Sequence, residues 1–509
     1  MKVSIPWIVL VGLSLAFPST AQKPKNEIPT IGATIDVRVV NVEAVVTAAS
    51  GQRAPGLSAA DFRLLVDGKE VPVEYFAEIA DGKSLKADKA APVAVGEEVG
   101  RNYLIYIDDS FSLANRRNEI LEKLERDLKL LGPADRMAIL AFDGARISAL
   151  CRWTGDLKTL REALAQARQR PALGGEMLAH QRKLQADVTW IMDNADSIET
   201  GGSDNCVGCP KVSEIAEIFS FTEKRISGEA RTQLGKTTDA AMAAMRGLEA
   251  PSGRKVVLFL SGAWSLSVAP RLYGPVVKAA NQLGYTVYPV DASQSDATEA
   301  TALDTLAKAT GGRLLIPADN AVFREAVADS GTYYWLGFTP AWKADDRGHR
   351  VTVEVRRAGL TVRSRSGFSD LSHQTEAAIK AESVLLFGGA NDDRRLIVEL
   401  GKPERRSGAF EVPVTLGVPV EALALTPKGK GYLAEVPLAV STEEDDGRRA
   451  NLSGPHLKVA IAALPQAGTY ARFQTVVRLR DPKQRVIFTV HDAVSGHALW
   501  GEARLAAAN

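Results

Sequence analysis

Tyr103-Leu104-Ile105-Tyr106-Ile107 is an unbroken apolar run of strand length, and it reads as a strand buried on both faces. Behind it, Leu121, Leu124, Leu128 and Leu131 fall at helical spacing, and Met137 to Phe142 supplies a second apolar run. Strand, helix, strand in that order predicts a βαβ unit. Further runs at Lys255 to Leu260, Tyr285 to Val290 and Arg313 to Ile316 alternate with helical stretches. The expectation is an α/β domain over residues 100–330, with a doubly wound, mostly parallel sheet covered on both faces. Arg146 to Arg152 reads as an antiparallel edge. Leu184, Val188 and Ile191, then Ile215, Phe219 and Ile226, predict a helical insertion over residues 156–228.

The flanks read differently. Apolar and polar residues alternate from Ile35 to Val46, and more loosely from Phe62 to Val73 around Asp67-Gly68, which predicts an N-terminal β domain over residues 30–82. Leu85 to Gly100 lacks periodicity, so residues 83–99 read as a linker. Tyr333 to Phe338 and Val351 to Val362 predict strands in residues 331–370, expected to complete the N-terminal β domain. From Ser383 onwards strands alternate with Pro/Gly turns, as on either side of Ser495-Gly496, and residues 378–509 read as a C-terminal β-sandwich.

Lys2, the apolar stretch Ile5 to Phe17 and the small residues Ser19-Thr20-Ala21 form a signal-peptide pattern over residues 1–21. The expected location is secreted or periplasmic, where ATP and NAD are lacking. No later apolar run reaches the ~20 residues needed to span a bilayer, so no membrane span is expected after signal cleavage. There are 62 basic and 61 acidic residues, and Lys2 falls in the signal segment. The remainder is formally neutral, which argues against a nucleic-acid partner. Of the three cysteines, Cys206 and Cys209 share a polar loop and favour a local disulfide over a half zinc site, leaving Cys151 as a thiol.

Asp108-Asp109-Ser110-Phe111-Ser112 follows the first buried strand, at the carboxyl end where ligands bind in open α/β sheets. Alternate residues share a direction. Asp108, Ser110 and Ser112 therefore offer an oxygen-only set suited to a hard cation such as Mg²⁺; the alternative is a polar turn with helix-capping serines.

This Asp-x-Ser-x-Ser pattern resembles the metal-ion-dependent adhesion site of von Willebrand factor A domains. Gly235-Lys236-Thr237-Thr238 resembles the loop that brings that family's threonine to the metal, which would be Thr237. More specifically, the chain resembles exported bacterial VWFA-related proteins over about residues 35 to 370, through Asp61-Phe62, Asp67-Gly68-Lys69, Thr310-Gly311-Gly312-Arg313 and Tyr334 to Pro340. The resemblance implies a von Willebrand factor A-like fold, a metal site of Asp108, Ser110, Ser112 and Thr237 holding Mg²⁺ (or Mn²⁺/Ca²⁺), and an adhesion-type protein or cell-envelope ligand as partner. One position departs: Gly262 stands where the family often places an aspartate, which leaves Asp109 or Asp291 to compensate electrostatically.

Three rivals stand beside this non-enzyme reading. A nucleotide hydrolase would use Gly235-Lys236-Thr237, but Ala230 stands where a phosphate-binding loop opens on glycine. A hydrolase with an unrecognised site finds no Gly-x-Ser-x-Gly or His-Glu-x-x-His pattern, and its histidines are scattered. A metal-free structural scaffold of an envelope assembly is supported by Gly262. Glu443-Glu444-Asp445-Asp446 lacks calcium-loop spacing and reads as a solvated turn.

Overall fold

The computed structural model describes residues 39–504, apart from 89, 90, 92, 177, 178, 180–211, 249, 263–268, 293–296, 318–321, 343, 389–394, 445–448, 467, 482, 493 and 496. The signal segment, Cys206, Cys209 and much of the helical insertion lie outside the described residues.

The chain opens with β1 (Val40–Ala48), β2 (Phe62–Val66), β3 (Lys69–Val71), β4 (Tyr75–Ala80) and β5 (Lys83–Ala87). Asp67 and Gly68, at φ of 50° and 79°, make the two-residue turn between β2 and β3, a geometry whose twist suits a hairpin and favours glycine. The stretch read as a linker instead opens on β5, which pairs with β4, and its Val99 is buried.

Next come β6 (Arg101–Asp108), α1 (Ala114–Asp127), β7 (Arg136–Phe142), β8 (Ile147–Thr154), α2 (Leu157–Arg168) and α3 (Val212–Gly247). They are followed by β9 (Arg254–Ser261), α4 (Ala269–Leu283), β10 (Tyr285–Asp291), α5 (Ala297–Ala309) and α6 (Val322–Gly331). The strands form one mixed sheet in the order β10-β9-β6-β7-β8, parallel except for β8. Residues alternate between its faces. Tyr103, Ile105 and Ile107 share a core with Leu121 of α1, Leu164 of α2 and Phe323 of α6. Leu104 and Tyr106 share the other with Ala241 of α3, Ala280 of α4 and Leu303 of α5.

The chain then returns to its beginning with β11 (Tyr333–Phe338), β12 (Gly348–Val355), β13 (Leu360–Ser364) and β14 (Gly367–Ser369). Ala44 of β1 lies opposite Tyr334 on one side and Ser364 on the other, and Leu64 of β2 lies opposite Val353. Two antiparallel sheets result, β13-β1-β11-β4-β5 and β14-β12-β2-β3, packed over Val42, Phe62, Phe76, Leu336 and Phe368. At the seam with the mixed sheet, Asp329 accepts hydrogen bonds from Arg53 (2.8 Å), Arg363 (2.5 Å) and Tyr288 (2.7 Å). Buried Arg254 pairs with Glu43 at 2.9 Å and donates to the Ser330 carbonyl.

The last third is α7 (His373–Phe387), β15 (Ile397–Leu400), β16 (Glu404–Arg406), β17 (Ala409–Pro419), β18 (Thr426–Lys428), β19 (Gly431–Glu443), β20 (Arg449–Ile461), β21 (Tyr470–Leu479), β22 (Arg485–Asp492) and β23 (His497–Ala503). Two antiparallel sheets enclose a core that includes Leu416, Leu438, Phe473 and Phe488. Ser383, where strands were expected to begin, lies inside α7. Its hydroxyl donates to the Gly247 carbonyl at 2.6 Å and fastens this unit to α3.

The expected fold class is corrected by these pairings. Among the described residues strand outweighs helix and four of the five sheets have only antiparallel ladders, so this is not a doubly wound parallel α/β fold. Among the described residues, parallel ladders join only β10, β9, β6 and β7. The strand expected at Arg313 to Ile316 is a single bridge, Leu315 to Val290, because Ile316 turns out to solvent.

Candidate metal centre

β6 is buried along its whole length and ends on Asp108, so a carboxylate is carried into the interior by the strand that precedes it. Its Oδ1 accepts the Ser110 amide at 3.0 Å and its Oδ2 accepts the Ser261 hydroxyl at 2.7 Å. Burial pushes the Asp108 carboxyl up to about 6, against the pull of these hydrogen bonds.

The backbone around it is tied at several points. The Asp109 amide donates to the Phe142 carbonyl, the Leu113 amide to Ala292, and the Ala292 amide to Ser261, each at 2.9 Å. Residues 173 and 174 lie across the loop: the Leu173 amide donates to the Asp109 carbonyl at 2.7 Å and the Gly174 amide to the Ser112 carbonyl at 3.2 Å. A Cβ on Gly174 would stand 2.5 Å from that Ser112 oxygen, so only glycine fits this crossing.

Thr237 is reached from the other side. Gly235-Lys236-Thr237-Thr238, expected as a loop opening a helix, lies well inside α3. Tyr106, two residues before Asp108 on the same face of β6, donates to the Thr237 carbonyl at 3.3 Å. One turn before Thr237, the Gln233 amide and the Ser110 hydroxyl flank Gly144, at 3.0 and 3.1 Å from where its Cβ would be. Asp108, Ser110 and Thr237 are thereby assembled at one end of the mixed sheet, with Ser112 two residues further along the same loop.

The hydroxyls of Ser110, Ser112 and Thr237 are buried; that of Ser110 leans on the Asp108 carboxylate, and those of Ser112 and Thr237 make no hydrogen bond among the described residues. The two buried hydroxyls without partners, Ser112 and Thr237, call for an explanation, because each forfeits about 1–3 kcal/mol of solvation. An oxygen-only donor set of this kind fits a hard divalent cation. Among the described residues no three His, Cys, Asp or Glu cluster as metal ligands, and of Asp108, Ser110, Ser112 and Thr237 only the first carries a carboxylate.

Sequence reasoning passed over Ser261, which supplies a hydroxyl where an aspartate was sought at Gly262. The signal was its place directly after the apolar run Lys255 to Leu260, at the carboxyl end of β9. Asp109, expected to compensate electrostatically, instead accepts Arg117 at 2.5 Å and Arg170 at 2.7 Å. Arg117 belongs to the same helical stripe as Ile120, Leu121 and Leu124, and a charge on such a stripe signals a buried partner. Asp291 ends β10 opposite Ser261. Cys151 is buried and unpaired.

No protein-family model matches the chain, and no curated protein does. One solved structure that resembles it is titled "X-ray structure of Northeast Structural Genomics Consortium target SoR45". It is 14% identical, covers 23% of this chain and 89% of that one, and has a TM-score of 0.16, too low to support any argument. The resemblance to von Willebrand factor A and VWFA-related proteins is corrected accordingly. Most sheets are antiparallel, the parallel ladders are confined to one small mixed sheet, and no family supports the assignment. No described helix is long and apolar enough to cross a membrane.

Proposed function

We propose that this chain is a binding protein in which Asp108, Ser110, Ser112 and Thr237 hold a divalent cation, Mg²⁺ first with Mn²⁺ or Ca²⁺ as substitutes. The ligand is an acidic group on a protein or cell-envelope partner. The observation that carries the reading is a buried carboxylate, Asp108, at the end of the mixed sheet where the buried hydroxyls of Ser112 and Thr237 lack hydrogen-bond partners. A bound cation would supply a positive charge with a position open to an outside carboxylate. Ser261 and the Ser110 amide hold the Asp108 carboxylate in place, while Tyr106 fixes the turn of α3 that carries Thr237. The pattern in residues 1–21 supports export as the setting.

Thermal unfolding with and without millimolar Mg²⁺, Mn²⁺ or Ca²⁺ tests the proposal. A ligand at a hundred times its dissociation constant stabilises by about 2.7 kcal/mol. The wild type should gain stability and Asp108→Ala should not; equal responses would remove the site.

A metal-free scaffold is the second reading, favoured by the charges nearby. Gly262 brings no second carboxylate, and Asp109 is taken up by two guanidinium groups. The same experiment separates the two.

A further inference from the structure

A cleft of about 670 Å³ lies between the mixed sheet and the C-terminal sandwich, within the usual range of roughly 300–1,000 Å³ for ligand pockets. Ile147, Leu386 and Phe387 give it apolar walls, and five cations line it: Arg146, Lys236, Arg449, Arg485 and Arg504. The acidic side chains lining it are Asp239, Glu443 and Glu444. Three of the cations have acidic neighbours. Arg485 is bonded to Glu502 at 2.8 Å, Arg449 stands 3.7 Å from Glu382, and Arg504 stands 3.8 Å from Glu502.

Arg146 and Lys236 differ: both are exposed, and the side chain of neither has a hydrogen bond or ion pair among the described residues. Their positions tie the cleft to the hydroxyl cluster. Lys236 immediately precedes Thr237, and Arg146 follows by two residues the Gly144 that abuts the Ser110 hydroxyl. Phe142, in its wall, lies opposite Asp108 in the β6–β7 register.

We infer that this cleft is the docking groove for an extended protein segment bearing both carboxylates and apolar side chains, with Arg146 and Lys236 as its free cations. The inference rests on the reading of this end of the sheet as a partner-binding site and names the chemistry of the partner. Apolar walls beside unpaired cations fit such a segment better than a free phosphate, which gains nothing from Ile147 or Phe387.

The test is fluorescence anisotropy on the full chain with a fluorescein-labelled Glu-Leu repeat peptide, a Lys-Leu repeat as counter-probe and inorganic phosphate as competitor. Binding of the Glu-Leu peptide should fall at least tenfold in Arg146→Glu/Lys236→Glu. It should be unchanged in Lys158→Glu/Lys308→Glu, a charge-matched control at exposed sites. The Lys-Leu peptide should not bind. Equal loss in both double variants, no binding of the Glu-Leu peptide, or full displacement by millimolar phosphate would overturn the inference. Repeating the titration in EDTA and with Asp108→Ala keeps the two readings apart. Loss on charge reversal with no effect of EDTA or Asp108→Ala would retain the groove and reject the cation.

Discussion

Ser261 donates its hydroxyl hydrogen to the Asp108 carboxylate at 2.7 Å, joining the last residue of β9 to the last residue of β6 across a parallel strand pair. This bond keeps a buried carboxylate aimed along the end of the sheet. Ser261→Ala removes a donor from an anion that solvent does not reach. The expected cost is about 1–3 kcal/mol in denaturant unfolding at neutral pH. A variant as stable as the wild type would show that the bond does not hold Asp108.

Asp109 and Arg117 are both wholly buried, and Asp109→Ala would leave the guanidinium without its carboxylate. Breaking a buried pair in this way costs about 3–5 kcal/mol. Asp108→Asn should behave in the opposite sense when no metal is present. It removes a buried charge, while the amide still accepts from the Ser110 N–H and donates to Ser261. Urea unfolding of the two variants side by side should therefore show a large loss for the first and little or none for the second.

The seam between the N-terminal β unit and the mixed sheet should be sensitive to acid through Asp329. Burial raises its carboxyl, but Arg363, Tyr288 and Arg53 outweigh this and hold it below the usual value of 3.8. The folded-state value is depressed, so the stabilisation is fully present above the unfolded-state value near 4 and is lost as pH falls through the lower folded-state value. Asp329→Asn should flatten that part of the stability profile. An unchanged acid limb would place the acid-sensitive group elsewhere.

Gly174→Ala would set a Cβ 2.5 Å from the Ser112 carbonyl carbon's oxygen and lift residues 173 and 174 off the loop. Faster amide hydrogen exchange at Leu113, Leu173 and Gly174 is expected, with a stability loss of about 1–3 kcal/mol. Unaltered exchange would mean that the crossing accommodates a side chain.

How far the sequence speaks can be judged residue by residue. The runs 103–107, 137–142, 255–260 and 285–290 read as strands because residues buried on both faces leave an apolar pattern, and strands stand there. The class of the whole chain was not legible. β1 pairs with β11 and β13 across about three hundred residues, and no local pattern reports such pairing. Gly235 suggested a break, yet it lies within α3. Packing of Ala240, Ala241 and Ala244 on the sheet outweighs the roughly 1 kcal/mol that glycine costs a helix. Asp108, Ser110 and Ser112 could be singled out because two-residue spacing after a buried strand is a local signal. Ser261, Arg117 and Arg170 come from other elements, and only the tertiary arrangement brings them to the same loop.

Calorimetric titration of Mg²⁺, Mn²⁺ and Ca²⁺ into residues 22–509, beside an Asp108→Ala/Ser110→Ala control, tests the cation site most directly. Saturable binding in the wild-type chain that is lost in the control is the predicted result. No heat of binding at millimolar metal, or equal binding in both proteins, would contradict it.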